Sequence, residues 1–355
     1  MYKEYKAAWA QLTAPGADFE VVTANVRGND IRTYANAPDS LRDLWLSTTA
    51  FADRDYLVYN DERLTYGETH QRVASLANWL IEQGVKPGDR VAIAMRNYPE
   101  WMQAYWASIS VGAAVVGMNA WWIGPEMLYA LKDSTPKVMI LDKERLDQLG
   151  EHRAEVSDIK LVGVRFPEPH ADVTPWSEVV AGDGELPMLD IDTDSDACIF
   201  YTSGTTGRPK GAQLTHRGCV SNVWSMLFAG GLQRLLAIQK GLVNADDEPP
   251  IGCSLVTTPL FHVTANNCAA QGTSSGGGTL DGLVAGAHRG APCSASPSLS
   301  SAPTSRAPSP REPPSSPPPH ARTRQTSRRS CSRTIAASPA PSTSDARRPV
   351  RPRHR

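Results

Sequence analysis

Residues 201–212 read YTSGTTGRPKGA and follow the apolar run Ala197, Cys198, Ile199 and Phe200. Thr202, Ser203, Thr205 and Thr206 bring four hydroxyls, while Gly204, Gly207 and Gly211 bring three positions without a Cβ. A strand ending in such a loop suits one kind of chemistry, the setting of backbone N–H groups and hydroxyls against phosphate oxygens. Gly204 and Gly207 allow the close approach, and Ser203, Thr205 and Thr206 add donors. Lys210 adds a mobile positive charge, and Pro209 stiffens the path to it. The pattern GxxxxGK[ST] is not met, because Lys210 stands between Pro209 and Gly211 with no Ser or Thr after it. That argues against a P-loop NTPase. The competing reading is a plain Gly/Thr surface turn, and the strand in front of the loop weighs against it.

A second stretch, CSLVTTPLFHV at 253–263, reads as a buried strand running into a functional turn that carries His262. Alone, His262 would be read as a core histidine bonded to backbone. Trp101, Trp106, Trp121 and Trp122 could form a ligand-stacking platform, but aromatics at such spacing more often pack a core, and the core reading is kept. Cys198 reads as a small buried hydrophobe. His216, just after the loop, reads as a cap or a solvent-facing side chain.

The elements that must position these residues follow a steady rhythm. Residues 67–83 place Val73, Leu76, Ala77, Leu80 and Ile81 on one helical stripe, with Gly84 just past its end. KPGD at 86–89 then turns the chain into the strand RVAIAM. A helix from Pro99 to near Gly112, a strand through Val115 and Val116, and a helix from Pro125 to Asp133 come next. KVMIL at 137–141 is a strand, 143–152 is helical, and IKLVGV at 159–164 is a strand. Residues 167–194 form a surface connection, 196–201 a strand, and 212–214 the way back into the fold before a helix at 216–227. This alternation predicts an α/β fold of mostly parallel sheets covered by helices.

From Gln271 onward there is no Phe, Trp, Tyr or Lys, but 13 Arg against 3 acidic residues, with 14 Pro and 17 Ser. That region carries +10 and the whole chain −1, so residues 1–270 stand at −11. The basic part has too little apolar surface to offset the entropy of ordering it, so a disordered tail is expected. The six cysteines show no CxxC pair, which argues against a zinc site or a disulfide framework. The N-terminus lacks a signal-peptide core, and no run of about 18 apolar residues occurs. A cytoplasmic, reduced setting is expected.

Thr202 to Gly211 meet every position of TSG[ST]TGxPKG, and on that match the chain resembles the adenylate-forming superfamily of acyl-CoA synthetases, peptide-synthetase adenylation domains and luciferases. LTYGE at 64–68 and NYPEW at 97–101 are similar to its N-terminal landmarks, and PLFHV at 259–263 to the segment after the loop in acyl-CoA synthetases. The resemblance covers roughly residues 40–272. TTP ahead of the FH pair favours fatty or aryl acid ligases over amino-acid adenylation domains. It implies an incomplete N-terminal domain of the adenylate-forming fold and a two-step reaction. A carboxylate attacks the α-phosphorus of ATP to give acyl-AMP and pyrophosphate, and the thiol of coenzyme A then displaces AMP. It further implies ATP contact by Thr202, Ser203, Gly204, Thr205, Thr206, Gly207 and Lys210, with His262 and Lys210 catalytic. Mg2+ would bridge the phosphates, with Thr202 as its candidate protein contact. The partners are then a carboxylic, in the first place fatty, acid with ATP and CoA.

Against the family pattern, no YGxTE segment, ribose-binding Asp, hinge or small C-terminal domain with a second lysine is found. An arginine-only basic tail is what a GC-rich coding region yields in a shifted frame. The expected organisation is a partial adenylate-forming domain over 1–272 and a frameshift-derived Ser/Pro/Arg-rich tail over 273–355, giving a truncated ligase from which residual ATP binding but not full turnover is expected. Two further functions stay open, an amino-acid or aryl-acid adenylation domain, and a non-enzymatic acidic body whose basic arm binds nucleic acid non-specifically. Fatty substrates would permit peripheral membrane contact; no specific nucleic-acid partner is expected.

Overall fold

The computed structural model of the protein describes residues 2–202 and 208–282. Its first helix, α1 (Tyr2–Leu12), precedes a hairpin of β1 (Val21–Val26) and β2 (Asn29–Tyr34) turned at Arg27 and Gly28, both with positive φ. Helix α2 (Leu41–Ser47) starts where Ser40 Oγ accepts the Asp43 N–H. After β3 (Asp55–Tyr59) and β4 (Glu62–Thr65), α3 (Tyr66–Glu82) opens on a capping box. The Glu68 N–H donates to Thr65 Oγ1, and the Thr65 N–H donates to Glu68 Oε2. Val73, Leu76, Ala77 and Leu80 are buried as the stripe predicts, whereas Ile81 lies at its exposed edge, and Gly84 takes the expected positive φ.

The main sheet then builds by strand and crossover helix: β5 (Arg90–Ala94), α4 (Pro99–Ser110), β6 (Ala114–Gly117), α5 (Gly124–Ser134), β7 (Val138–Asp142), α6 (Lys143–Leu149) and β8 (Lys160–Val164). The connection at 167–194 is not wholly irregular, since it holds the short β9 (Thr174–Pro175) and α7 (Trp176–Val179). β10 (Asp196–Thr202) and β11 (Lys210–Thr215) complete seven strands in the order β11-β10-β6-β5-β7-β8-β9, parallel except for β10 against β11. Alternate residues of each strand enter two cores. Val91, Ile93, Val115, Ile140 and Val162 face α3 and α4, while Ala92, Ala94, Val116, Met139 and Leu161 face α5 and α6. That double burial is why these strands read as unbroken apolar runs.

Helix α8 (His216–Gln239) continues twelve residues past the expected end near Leu227. Its second half is held because Phe228 and Leu232 pack on Ala8 of α1, with the Trp9 and Phe228 rings edge to face at 4.5 Å. In β12 (Cys253–Leu255), Cys253 and Leu255 are exposed, which corrects the buried-strand reading of 253–263. This strand is the edge of a second sheet, ordered β12-β13-β3-β4, and its one neighbour is β13 (Thr279–Asp281). A π-helical turn, Thr264–Ala270, runs into α9 (Gln271–Ser275). The boundary expected after residue 272 thus falls inside α9, and the fold continues to β13, where Leu280 pairs with Leu57 of β3. The remainder of the expected tail, from residue 283, lies outside the described residues. Among the described residues, Cys198, Cys219 and Cys268 are free thiols. Among the described residues, no helix is long and apolar enough to cross a membrane.

Candidate active site

Adjacent parallel strands β5 and β6 send their crossover helices to opposite faces of the sheet, α4 to one and α5 to the other. A crevice opens outside the carboxyl ends of strands wherever this happens. The next strand across from β6 is β10, paired through Phe200 and Gly117. Its last residue, Thr202, sits opposite Lys210, the first residue of β11, and donates from Oγ1 to the Lys210 carbonyl at 3.4 Å. The strand pair therefore clamps both ends of the Gly-rich loop at the edge of the crevice. Ser203, Gly204, Thr205, Thr206 and Gly207 lie outside the described residues. Lys210 is exposed and makes no ion pair with any described residue, leaving its ammonium available to an anion.

The stem of the loop is braced on one side by α5. Tyr201 donates its hydroxyl to Asp133 at 2.7 Å, and burial together with that carboxylate pushes the phenol up. Arg208 lies over the Tyr129 ring at 5.5 Å. Gly211 is required by close packing, since a Cβ there would meet Ile199 Cγ2 at 2.8 Å. On the other face Cys198 is fully buried, as expected, with its sulfur 3.9 Å from that of Cys219.

His262 arrives at the same edge on a tight turn. Its N–H donates to the Pro259 carbonyl at 3.0 Å, and its own carbonyl accepts from Ala265 and Asn266 at the start of the π-helical turn. The Thr264 N–H donates to His262 Nδ1 at 3.3 Å, so Nδ1 is the unprotonated nitrogen and Nε2 carries the hydrogen. The ring is exposed, unlike a core histidine. Leu260 is fully buried and roots the turn. Phe261 projects over the sheet edge against Trp121, edge to face at 5.3 Å. The turn can come this close because residue 117 is glycine: a Cβ there would lie 2.7 Å from the Phe200 ring and 3.2 Å from the Phe261 carbonyl oxygen.

Two readings of the sequence need correction. Trp101, Trp106 and Trp122 are core residues, but Trp121 is 58% exposed, because it follows the end of β6 where the crevice begins. His216 is fully buried and does not face solvent. Its Nδ1 accepts the Leu41 N–H at 3.2 Å, its Nε2 has no partner, and burial pushes its pKa down to about 4. Sequence reasoning missed Asn97, Gly117 and Trp121 as parts of this edge. Asn97 lies in NYPEW, a stretch that stands out in the sequence without showing what it does.

Thr202 offers one neutral hydroxyl, and among the described residues no group of three His, Cys, Asp or Glu stands together anywhere. A single hydroxyl does not make a Mg2+ site, which needs carboxylates or the ligand's phosphates as well. Thr202 is the one described residue that could contact such an ion beside a ligand's phosphates, and no step is derived through the metal.

A profile of the family described as AMP-binding enzyme matches residues 45–283. Feruloyl-CoA synthase from Amycolatopsis is 36% identical over 217 residues, which are 61% of this chain and 38% of that protein. The crystal structure of an anthranilate CoA ligase in complex with anthranoyl-AMP matches with a TM-score of 0.57 at 20% identity, over 70% of this chain and 45% of the other. The fatty acyl CoA synthetase of Mycobacterium tuberculosis matches with a TM-score of 0.54 at 23% identity, over 68% of this chain and 44% of the other. These two structures show likeness of fold. The chain spans less than half the length of each of these three proteins.

Proposed function

The chain belongs to the AMP-binding enzyme family, and from that premise we propose that its sheet edge activates a carboxylic acid with ATP as the first step of acyl-CoA formation. The acid carboxylate attacks the α-phosphorus; the bond to the β-phosphate oxygen breaks, and pyrophosphate leaves with its electron pair. The thiol of CoA then attacks the acyl carbon and displaces AMP. Carboxylate and triphosphate are both anionic, so the protein must screen charge and fix the line of attack.

Lys210 would neutralise the β- and γ-phosphates, with the glycines and hydroxyls of 203–207 wrapped around them. The Nε2–H of His262 would donate to the carboxylate and hold it facing the phosphorus. The observation that carries this reading is the meeting of two structures on one strand neighbourhood. The hairpin mouth joins Thr202 of β10 to Lys210 of β11, and the His262 turn rests on Gly117 of β6, which adjoins β10. The acid is proposed to be fatty or aryl, as the names of the feruloyl, anthranilate and fatty acyl relatives suggest.

The test is an ATP titration by calorimetry on the full chain, paired with Lys210→Met. Losing one charge-assisted contact should weaken binding by at least about tenfold. Pyrophosphate exchange with a panel of fatty, aryl and amino acids then ranks the substrates. Equal affinity in wild type and Lys210→Met, or no saturable ATP binding by wild type, would refute the proposal.

A further inference from the structure

We propose that Asn97 is a positioning residue for His262; the inference rests on the acid-activating reading above. Asn97 follows β5 in the tight link to α4, where the Tyr98 N–H donates to the Arg96 carbonyl at 2.8 Å, and its side chain is 3% exposed. Both ends of its amide are used on a segment more than 160 residues away. Nδ2 donates to the Thr258 carbonyl at 2.9 Å, and Oδ1 accepts the Leu260 N–H at 2.8 Å.

The residue between those contacts is Pro259, which has no N–H and cannot take part in a strand ladder. The Asn97 amide replaces the missing neighbour, gripping the carbonyl before the proline and the N–H after it as a backbone amide would. From there the restraint is handed on by three bonds already in place. Leu260 is held by Asn97, the His262 N–H closes onto Pro259, and Thr264 fixes Nδ1 of the imidazole. The asparagine of NYPEW thus sets the height and tilt of the PLFH turn over the crevice. Other polar side chains at this recess are engaged elsewhere, Arg145 on Asp142 and the Ala120 carbonyl, and Arg96 on Glu144.

The experiment uses the full chain as wild type, Asn97→Ala and Asn97→Asp, with hydrogen exchange at Leu260, His262 and Thr264, and with calorimetric binding of ATP, ferulate and octanoate. In Asn97→Ala, exchange at all three amides should rise at least tenfold over the change in amides of β7. Whichever acid binds wild type should weaken at least tenfold, with ATP affinity changed by less than half as much on a logarithmic scale.

If the alanine variant loosens everywhere, Asn97→Asp decides. Its carboxyl accepts from Leu260 in either state but donates to Thr258 only when protonated, so protection at His262 and Thr264 should approach wild type at low pH and fall at high pH. The proposal is overturned if His262 and Thr264 stay protected when only Leu260 is released, or if the aspartate variant shows no such pH dependence. Wild type that binds neither ATP nor acid would sink the acid-activating reading and with it the role given to Asn97. The exchange pattern would still show whether the clamp exists.

Discussion

Gly117→Ala perturbs both halves of the site with a single methyl group. The new Cβ would stand 2.7 and 2.8 Å from two carbons of the Phe200 ring and 3.2 Å from the Phe261 carbonyl oxygen. Ordinary contact starts near 3.4 Å, so the ring must retreat by about 0.7 Å. Phe200 is 4% exposed and register-paired with Gly117, which leaves it little room. Overpacking of this kind costs about 1–3 kcal/mol. For a fold of this size, about 2 kcal/mol corresponds to a fall in Tm of roughly 4–8 °C. Phe200 lies two residues before Thr202 and Phe261 one before His262, so ATP and acid binding should weaken together. Gly230→Ala supplies the control: the same methyl in α8 meets nothing within 4 Å, and a helical Gly→Ala change is neutral or stabilising by about 0.5–1 kcal/mol. Urea denaturation and calorimetric titration of both variants make the comparison. If Gly117→Ala unfolds within about 0.5 kcal/mol of wild type and binds both ligands normally, the close-approach reasoning is wrong.

Two further expectations concern charge. His216 has its pKa lowered to about 4 by burial, against an unfolded value near 6.5, so between those limits the unfolded chain takes up a proton that the folded chain refuses. Stability should therefore fall as pH drops from 6.5 to 4, by up to about 3 kcal/mol from this residue. His216→Gln should flatten that part of the denaturation profile, and an unchanged slope would contradict the assignment. Arg165, at a positive φ after β8, binds Glu62 at 2.7 Å and Glu100 at 3.0 Å, and lies over the rings of Tyr59 and Tyr98. It joins the second sheet to the start of α4. Arg165→Met should cost about 2 kcal/mol, discounted from a fully buried pair because the guanidinium is partly exposed. It should also let the Glu62 carboxyl, held low chiefly by its hydrogen bond from Arg165, climb back toward the usual range in an NMR titration.

The alternation of strand and helix could be read directly because it depends on local periodicity. Runs such as KVMIL at 137–141 are apolar throughout since both faces of a covered parallel sheet are buried, and the stripe of α3 repeats at helical spacing under a local capping box. The string from Thr202 to Gly211 likewise carries its meaning within ten residues. What escaped reading depends on contacts between distant segments. Trp121 and Trp122 are adjacent and identical in type, yet the end of β6 turns one into the crevice and the other into the core. His216 is buried because α2 comes down on it from 175 residues away. The proline that keeps residues 253–263 from being one strand is visible in the sequence. That an asparagine near residue 100 completes the missing hydrogen bonds is not, because side-chain partners that far apart are chosen by how the sheet closes, not by any pattern along the chain.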